Sequence, residues 1–130
     1  MSVHRVEIGL ISERDDLVDF YRDTFALDVL EARPFTVGVV HRLGRGDAMV
    51  KIMVPADPPA APEPAREQFW DRAGLQYFAL WVDDLDAAAV RCTRAGGVVV
   101  NGPLDVRPGL RSAVVRDPDG NVIEVMEASL

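Results

Sequence analysis

Two stretches of alternating apolar and polar residues, each followed by a helical pattern, organise the chain. The first covers residues 3–11 and predicts a half-buried strand. From Ser12 the apolar positions recur at helical spacing, which predicts an amphipathic helix. Its buried stripe would comprise Leu17, Phe20, Tyr21 and Thr24. Residues 27–32, 35–43 and 48–54 are rich in strand-forming residues, so the first half is predicted to fold as β-α-β-β-β.

The second half repeats this order. Residues 75–82 alternate like the first strand, and Asp83 or Asp84 is predicted to cap a helix that ends at Gly96-Gly97. Cys92 lies on the apolar stripe of that helix, which favours an inert buried thiol over a nucleophile. The remaining predicted strands are residues 98–101, 110–116 and 122–126.

A polar turn, Asp117-Pro118-Asp119-Gly120-Asn121, separates the last two strands and predicts a β-hairpin. Glu124 stands out in the strand after it, as a carboxylate among apolar residues. The Pro- and Gly-rich residues 102–109 are expected to form a lid over a cleft, with Arg111 at the mouth of that cleft.

Proline dominates the segment that joins the two halves. Residues 55–64 hold five prolines and three alanines, which predicts an extended linker. Residues 66–73 are predicted to form one short helical piece that carries Phe69 and Trp70.

The two halves align as copies of one module. A shift of 72 residues places Arg5 on Tyr77, and a shift of 73 places Lys51, the only lysine, on Glu124. We therefore predict a single domain over residues 1–130. It comprises module 1 (about 3–54), a Pro-rich linker (55–73) and module 2 (about 74–127). If each helix covers one sheet face, these four residues share the opposite, inward faces.

Composition restricts the partners. A net charge of −7 argues against nucleic acid, because nothing would offset repulsion by phosphates. No apolar run is long enough to span a bilayer, so no membrane association is expected. The single cysteine excludes an intramolecular disulfide and fits a cytoplasmic protein. A chain of 130 residues can bury an ordinary core without metal or disulfides.

Three motifs resemble the vicinal oxygen chelate superfamily, which includes glyoxalase I, bleomycin-resistance proteins and extradiol dioxygenases. They are residues 20–27 at the end of the first helix, Val82-Asp83-Asp84-Leu85-Asp86, and residues 117–124 around the last turn. With the duplication, the resemblance covers nearly the whole chain. It implies an α+β fold of two tandem βαβββ modules, with mixed sheets curved round a cleft, and a homodimer.

The resemblance also implies a metal site at four inward positions, which His, Gln or Glu occupy in catalytic members. Here the matching residues are Arg5, Lys51, Tyr77 and Glu124, of which only Glu124 is an ordinary ligand. No metal or other cofactor is therefore predicted. The alternative is a non-standard site for Ni, Zn, Mn or Fe, formed by Glu124 with Glu7 or His41.

Three functional hypotheses follow. The favoured one is a metal-free protein that binds a small organic molecule in the cleft, as antibiotic-binding members do by resemblance. The predicted ligand-binding residues are Arg5, Glu7, Met49, Lys51, Met53, Tyr77, Trp81, Arg111 and Met126, with Trp70 as a further aromatic. The alternative is a divergent lyase, isomerase or dioxygenase in which Glu124 is a metal ligand or general base. In the third, the four inward residues only neutralise one another as a closed, buried ion network without a pocket.

Overall fold

The computed structural model describes residues 1–129 as an α+β protein with two four-stranded mixed sheets, one in each half. The chain divides into two compact units after Ala61, inside the Pro-rich segment. Each unit contains one helix and one sheet, as the duplication predicts. No helix within residues 1–129 is long and apolar enough to cross a membrane.

Module 1 has the predicted β-α-β-β-β order. Its elements are β1 (Ile8–Ile11), α1 (Leu17–Phe25), β2 (Asp28–Phe35), β3 (Gly38–Arg45) and β4 (Ala48–Pro55). The strands lie in the order β1-β4-β3-β2, with β1 parallel to β4 and the other pairs antiparallel. The helix buries Phe20 and Tyr21 almost completely, which confirms the predicted stripe.

The first strand and helix of module 1 begin later than predicted. Ile8 pairs with Val50, only two residues after β4 begins, so residues 3–5 have no strand to pair with. Residues 13–16 form turns before the helix, with backbone bonds from Val18 to Asp15 and from Asp19 to Asp16. The regular helix therefore begins at Leu17 rather than Ser12.

Module 2 repeats the topology. Its elements are β5 (Tyr77–Trp81), α2 (Leu85–Arg94), β6 (Val98–Arg107), β7 (Leu110–Arg116) and β8 (Val122–Ala128). The strand order is β5-β8-β7-β6, with β5 parallel to β8. Asp84 caps α2 as predicted, because its carboxylate accepts a hydrogen bond from the Ala87 N–H at 3.0 Å. Between the modules, the predicted helical piece is a single 3₁₀ turn, Phe69–Asp71.

The predicted lid at residues 102–109 is wrong. Strand β6 continues to Arg107 and pairs with β7, with Leu104 opposite Ser112 and Asp105 opposite Arg111. Gly102 permits this despite the irregular register, because it has φ of +81° and a Cβ there would lie 2.6 Å from the Ser112 carbonyl oxygen. The Pro and Gly residues mark irregularities within a strand rather than a loop.

The strand register corrects the alignment of the two copies. Gly9 pairs with Lys51 in module 1, and Ala79 pairs with Glu124 in module 2. Counting back two residues, Glu7 rather than Arg5 is the counterpart of Tyr77. The alignment by apolar pattern preserved the face of each residue but slipped by two along the strand.

Candidate functional site

The helix-free face of module 1, the sheet face turned away from α1, carries the predicted residues of β4. Lys51 lies there between Met49 and Met53, while Val50 and Ile52 are fully buried on the other face. Strand pairing adds Gly9 beside Lys51 on one side and Arg42 on the other. Sequence reasoning missed Arg42, since the parity of β3 becomes clear only once its register with β4 is known.

An ion pair links Glu7 and Lys51, the residues of module 1 that correspond to Tyr77 and Glu124 of module 2. Lys51 Nζ lies 3.0 Å from Glu7 Oε2, and Arg5 Nη2 lies 2.5 Å from Glu7 Oε1. The hydrogen bonds from Lys51 and then Arg5 lower the pKa of the Glu7 carboxyl below its ordinary value. Arg5 therefore reaches this face through Glu7, although it precedes β1.

His41 lies on the opposite sheet face from Lys51. It pairs with the buried Ile52, whereas its neighbour Arg42 pairs with Lys51. Because successive side chains alternate across a strand, His41 and Glu7 lie on opposite faces of the sheet, and of these two alternative ligands only Glu7 shares the face of Lys51.

The helix-free face of module 2 is aromatic and acidic. Tyr77 and Trp81 are 48% and 64% exposed, and Met126 lies beside Trp81 in the strand register. Glu124 lies between Ala79 and Val114 in the same register and is half-buried. Within residues 1–129 its carboxylate makes no side-chain hydrogen bond or ion pair. The closed ion network that would include Glu124 is therefore not what the structure contains.

The 3₁₀ turn adds two aromatic residues to module 2. The ring of Phe69 packs edge-on to those of Trp70 and Tyr77, with centroid distances of 5.0 and 5.2 Å. A cavity of about 210 Å³ lies between this turn and the sheet, and Val114 contributes to it from the face that carries Glu124. Trp70 and Phe69 thus border this small receptacle, whereas Tyr77 and Trp81 do not line it.

Arg111 is not on that face. It alternates with Ser112 and Val114, and its guanidinium makes a bidentate pair with Asp86 in the first turn of α2, at 3.0 and 3.1 Å. The expectation that Arg111 lines the binding site is corrected, because its side chain joins the sheet to the helix on the opposite side.

The residues at the four equivalent positions do not fit a divalent metal. Glu7 and Lys51 are paired with each other in module 1, and module 2 offers Tyr77 and Glu124. Within module 1, the Lys51 ammonium group cannot ligate a cation and would repel one bound by Glu7. Residues 1–129 contain no group of three or more His, Cys, Asp or Glu residues that could hold a metal ion.

Two other conspicuous residues have structural roles. Burial raises the pKa of the Cys92 thiol to about 11, so the thiol is neutral and poorly nucleophilic at physiological pH. Asp117 is 3% exposed, and its carboxylate accepts hydrogen bonds from the backbone N–H groups of Asp119 and Asn121 and from the Asn121 amide. The last turn is therefore built around one buried carboxylate.

Comparison with known proteins gives the family. The model of the Glyoxalase/Bleomycin resistance protein/Dioxygenase superfamily matches residues 11–125, and the chain belongs to this superfamily. The putative glyoxylase CFP32 of Mycobacterium bovis is 43% identical over 51 residues, which cover 39% of this chain and 19% of CFP32. The matched part thus spans about a fifth of that relative.

Solved structures share the fold over the full length. TnmS3, an antibiotic binding protein from a Streptomyces species, is 27% identical with a TM-score of 0.69, and the match covers 99% of both chains. A glyoxalase family protein from Bacillus cereus has a TM-score of 0.77 at 14% identity, covering 98% of this chain and 96% of that one. The latter likeness concerns the fold alone.

Proposed function

We propose that this protein binds a small organic molecule on its helix-free sheet faces and does so without a metal. The observation that carries the proposal is the Lys51–Glu7 ion pair, which occupies two of the four positions that the resemblance assigns to a metal. The exposed Tyr77 and Trp81 rings supply an apolar, aromatic surface for the ligand. The likeness to the antibiotic binding protein TnmS3 supports the same class of function.

A ligand screen in the presence of a chelator tests the proposal. Small aromatic compounds, including antibiotics of each charge type, would be screened by thermal shift in EDTA, and hits would be measured by calorimetry. We expect binding that EDTA does not weaken and that Trp81→Ala reduces. The control, Val90→Ala, removes an exposed apolar side chain from α2, on the opposite side of the sheet from Trp81, and should bind normally. Binding that EDTA abolishes and a divalent metal restores would contradict the proposal.

A second candidate function is catalysis without a metal, with Glu124 as a general base. The observation in its favour is that the half-buried Glu124 carboxylate lacks a side-chain partner within residues 1–129. Mass spectrometry of each bound compound after incubation separates the two functions. Unaltered compound supports binding alone. Conversion that Glu124→Gln abolishes and Glu13→Gln, at an exposed turn, preserves would instead establish an enzyme.

The proposal includes assembly into a homodimer. Its support is the resemblance, which implies a homodimer, together with the exposure of Ile11 and Trp81 on the helix-free faces of their modules, at 54% and 64%. Light scattering after size-exclusion chromatography is expected to give twice the 14.3 kDa chain mass at micromolar concentration. A monomer mass at that concentration would contradict this part of the proposal.

A further inference from the structure

Positive charge is concentrated on the helix-free face of module 1, although the whole chain has a net charge of −7. Arg33 faces Val40 in the strand register, and Arg42 faces Lys51, which places three cations on this face together with Arg5 of the Glu7 pair. Two carboxylates of module 1 are already engaged. Glu7 is shared by Arg5 and Lys51, and Asp28 lies 3.4 Å from Arg45.

Arg42 and Lys51 are direct neighbours across β3 and β4. Opposed like charges on a sheet destabilise the pair, since the Cβ atoms of such residues lie about 5 Å apart. Within residues 1–129 the half-buried Arg42 side chain makes no hydrogen bond or ion pair, so all its donors are unused by the protein. Lys51 uses one ammonium donor for Glu7 and retains two.

The surroundings leave room for a ligand group. Gly9 is the other strand neighbour of Lys51, and a Cβ at Gly9 would meet no atom within 4 Å. Met49 and Met53 flank Lys51 along β4 and offer adaptable apolar contacts. The row Gly9–Lys51–Arg42 therefore combines open space, unused donors and uncompensated positive charge.

The geometry points to an oxyanion subsite on this row: Arg42 and Lys51 bind a negatively charged oxygen group, such as a carboxylate, of the small-molecule ligand. The inference rests on the proposed function and adds the charge of its ligand. Arg42 can donate two parallel N–H bonds to such a group, and Lys51 adds a point charge beside it. A net-negative protein thus selects an anionic ligand through local rather than total charge.

Three probes of matched shape test the inference: 1-naphthoate, its neutral amide and 1-naphthylmethylammonium. Binding would be followed by ¹⁵N chemical shifts, which report module 1 and module 2 separately. We expect the carboxylate to bind about tenfold more tightly than the amide, because charge-assisted hydrogen bonds are the stronger ones. The largest shifts should include the amides of Gly9, Arg42 and Lys51.

Substitutions test whether Arg42 and Lys51 cause the preference for the carboxylate over the amide. Arg42→Met and Lys51→Met are each expected to reduce the carboxylate-to-amide ratio to near one while leaving amide binding unchanged. Arg14→Met is the control, because it removes an exposed cation of module 1 whose partner is Asp16 in the turns before α1. It should preserve the ratio. Added salt should weaken binding of naphthoate to the unaltered protein more than binding of the amide, which measures the electrostatic part of the preference.

The outcomes separate this inference from the proposed function. Equal binding of amide and carboxylate, or a preference that survives Arg42→Met and Lys51→Met, overturns the oxyanion subsite and leaves small-molecule binding intact. Tighter binding of the ammonium probe overturns it as well. Failure of all three probes to bind, together with a negative screen, contradicts the proposed function and the subsite with it.

Discussion

The helix-free faces of the two modules share one topology and differ in chemistry. In module 1 the equivalent positions hold Glu7 and Lys51, which satisfy each other at 3.0 Å. In module 2 they hold Tyr77 and Glu124, of which Glu124 has no side-chain partner within residues 1–129. Duplication thus preserved strand order and pairing while the surface residues diverged. The fold therefore gives the place of a site, and the residues at that place decide what it does.

The helices show the same contrast in the core. Helix α1 buries two aromatic residues, Phe20 and Tyr21, whose ring centroids lie 5.1 Å apart. Helix α2 buries Leu85, Ala88 and Cys92, which are smaller. Module 1 therefore depends on a few large side chains, and module 2 depends more on close approach of its helix to the sheet.

The largest expected effect comes from the aromatic core of module 1. Phe20→Ala should lower the free energy of unfolding by about 3–5 kcal/mol, since it leaves a cavity at a side chain that is 1% exposed. Ala88→Gly in α2 should cost only about 1 kcal/mol. Urea denaturation followed by circular dichroism measures both. Equal losses would contradict the contrast between the two cores.

The next largest expected effect on stability comes from the turns that precede the last strand of each module. Asp117→Ala should destabilise module 2 by about 2–3 kcal/mol, because partly buried N–H groups of the turn lose a charged acceptor. Asp47→Ala changes an exposed residue in the corresponding turn of module 1 and should be nearly neutral. Chemical denaturation of both variants provides the comparison. A neutral Asp117→Ala would show that the buried carboxylate does not hold the turn.

Substitutions at the C-terminal ends of the two helices are expected to change stability in opposite directions. Ala26 ends α1 in the left-handed region with φ of +54°, where Gly is favoured, so Ala26→Gly should stabilise by about 1 kcal/mol. Gly96, after α2, has φ of +93°, so Gly96→Ala should destabilise by about 1 kcal/mol. Thermal unfolding should show the melting temperature rising for the first and falling for the second. A fall for both would mean that Ala26 makes contacts worth more than its strain.

The smallest expected effect concerns the ionisation of Glu7. Its pKa is held below the ordinary 4.5, so its stabilisation is present above pH 4.5 and is lost as the pH falls through the lower folded-state value. Lys51→Met should raise this pKa by removing its largest cause. Carboxyl ¹³C NMR titration measures the change, and Asp23, whose pKa is lowered by Arg22, should not move. An unchanged pKa of Glu7 in Lys51→Met would mean that Lys51 does not pair with it in solution.

The sequence predicted features that depend on local chemistry. The Asp84 cap, the turn after Asp117 and the buried Phe20 and Tyr21 follow from residue types at short spacing. Features that depend on pairing between distant strands were not predicted correctly. The place of Glu7 beside Lys51 required the parallel register of β1 and β4, which an alternating pattern fixes only to within two residues.

Side-chain direction was the other source of error. Arg111 belongs to the predicted strand, yet its face depends on the register with β8, which directs it toward Asp86. Arg42 was missed and His41 was considered for the same reason, because the parity of β3 is set by its partner. The strands that carry the candidate residues could be identified from sequence, but the faces of His41, Arg42 and Arg111 required the strand register.

Metal binding by the purified protein tests the central claim most directly. Elemental analysis would be followed by calorimetric titration with Ni²⁺, Zn²⁺, Mn²⁺ and anaerobic Fe²⁺. Because Lys51 pairs with Glu7 at two of the four relevant positions, we expect no stoichiometric metal and no saturable binding. One metal ion per chain, lost in Glu124→Gln, would contradict the account and favour a metal-dependent enzyme.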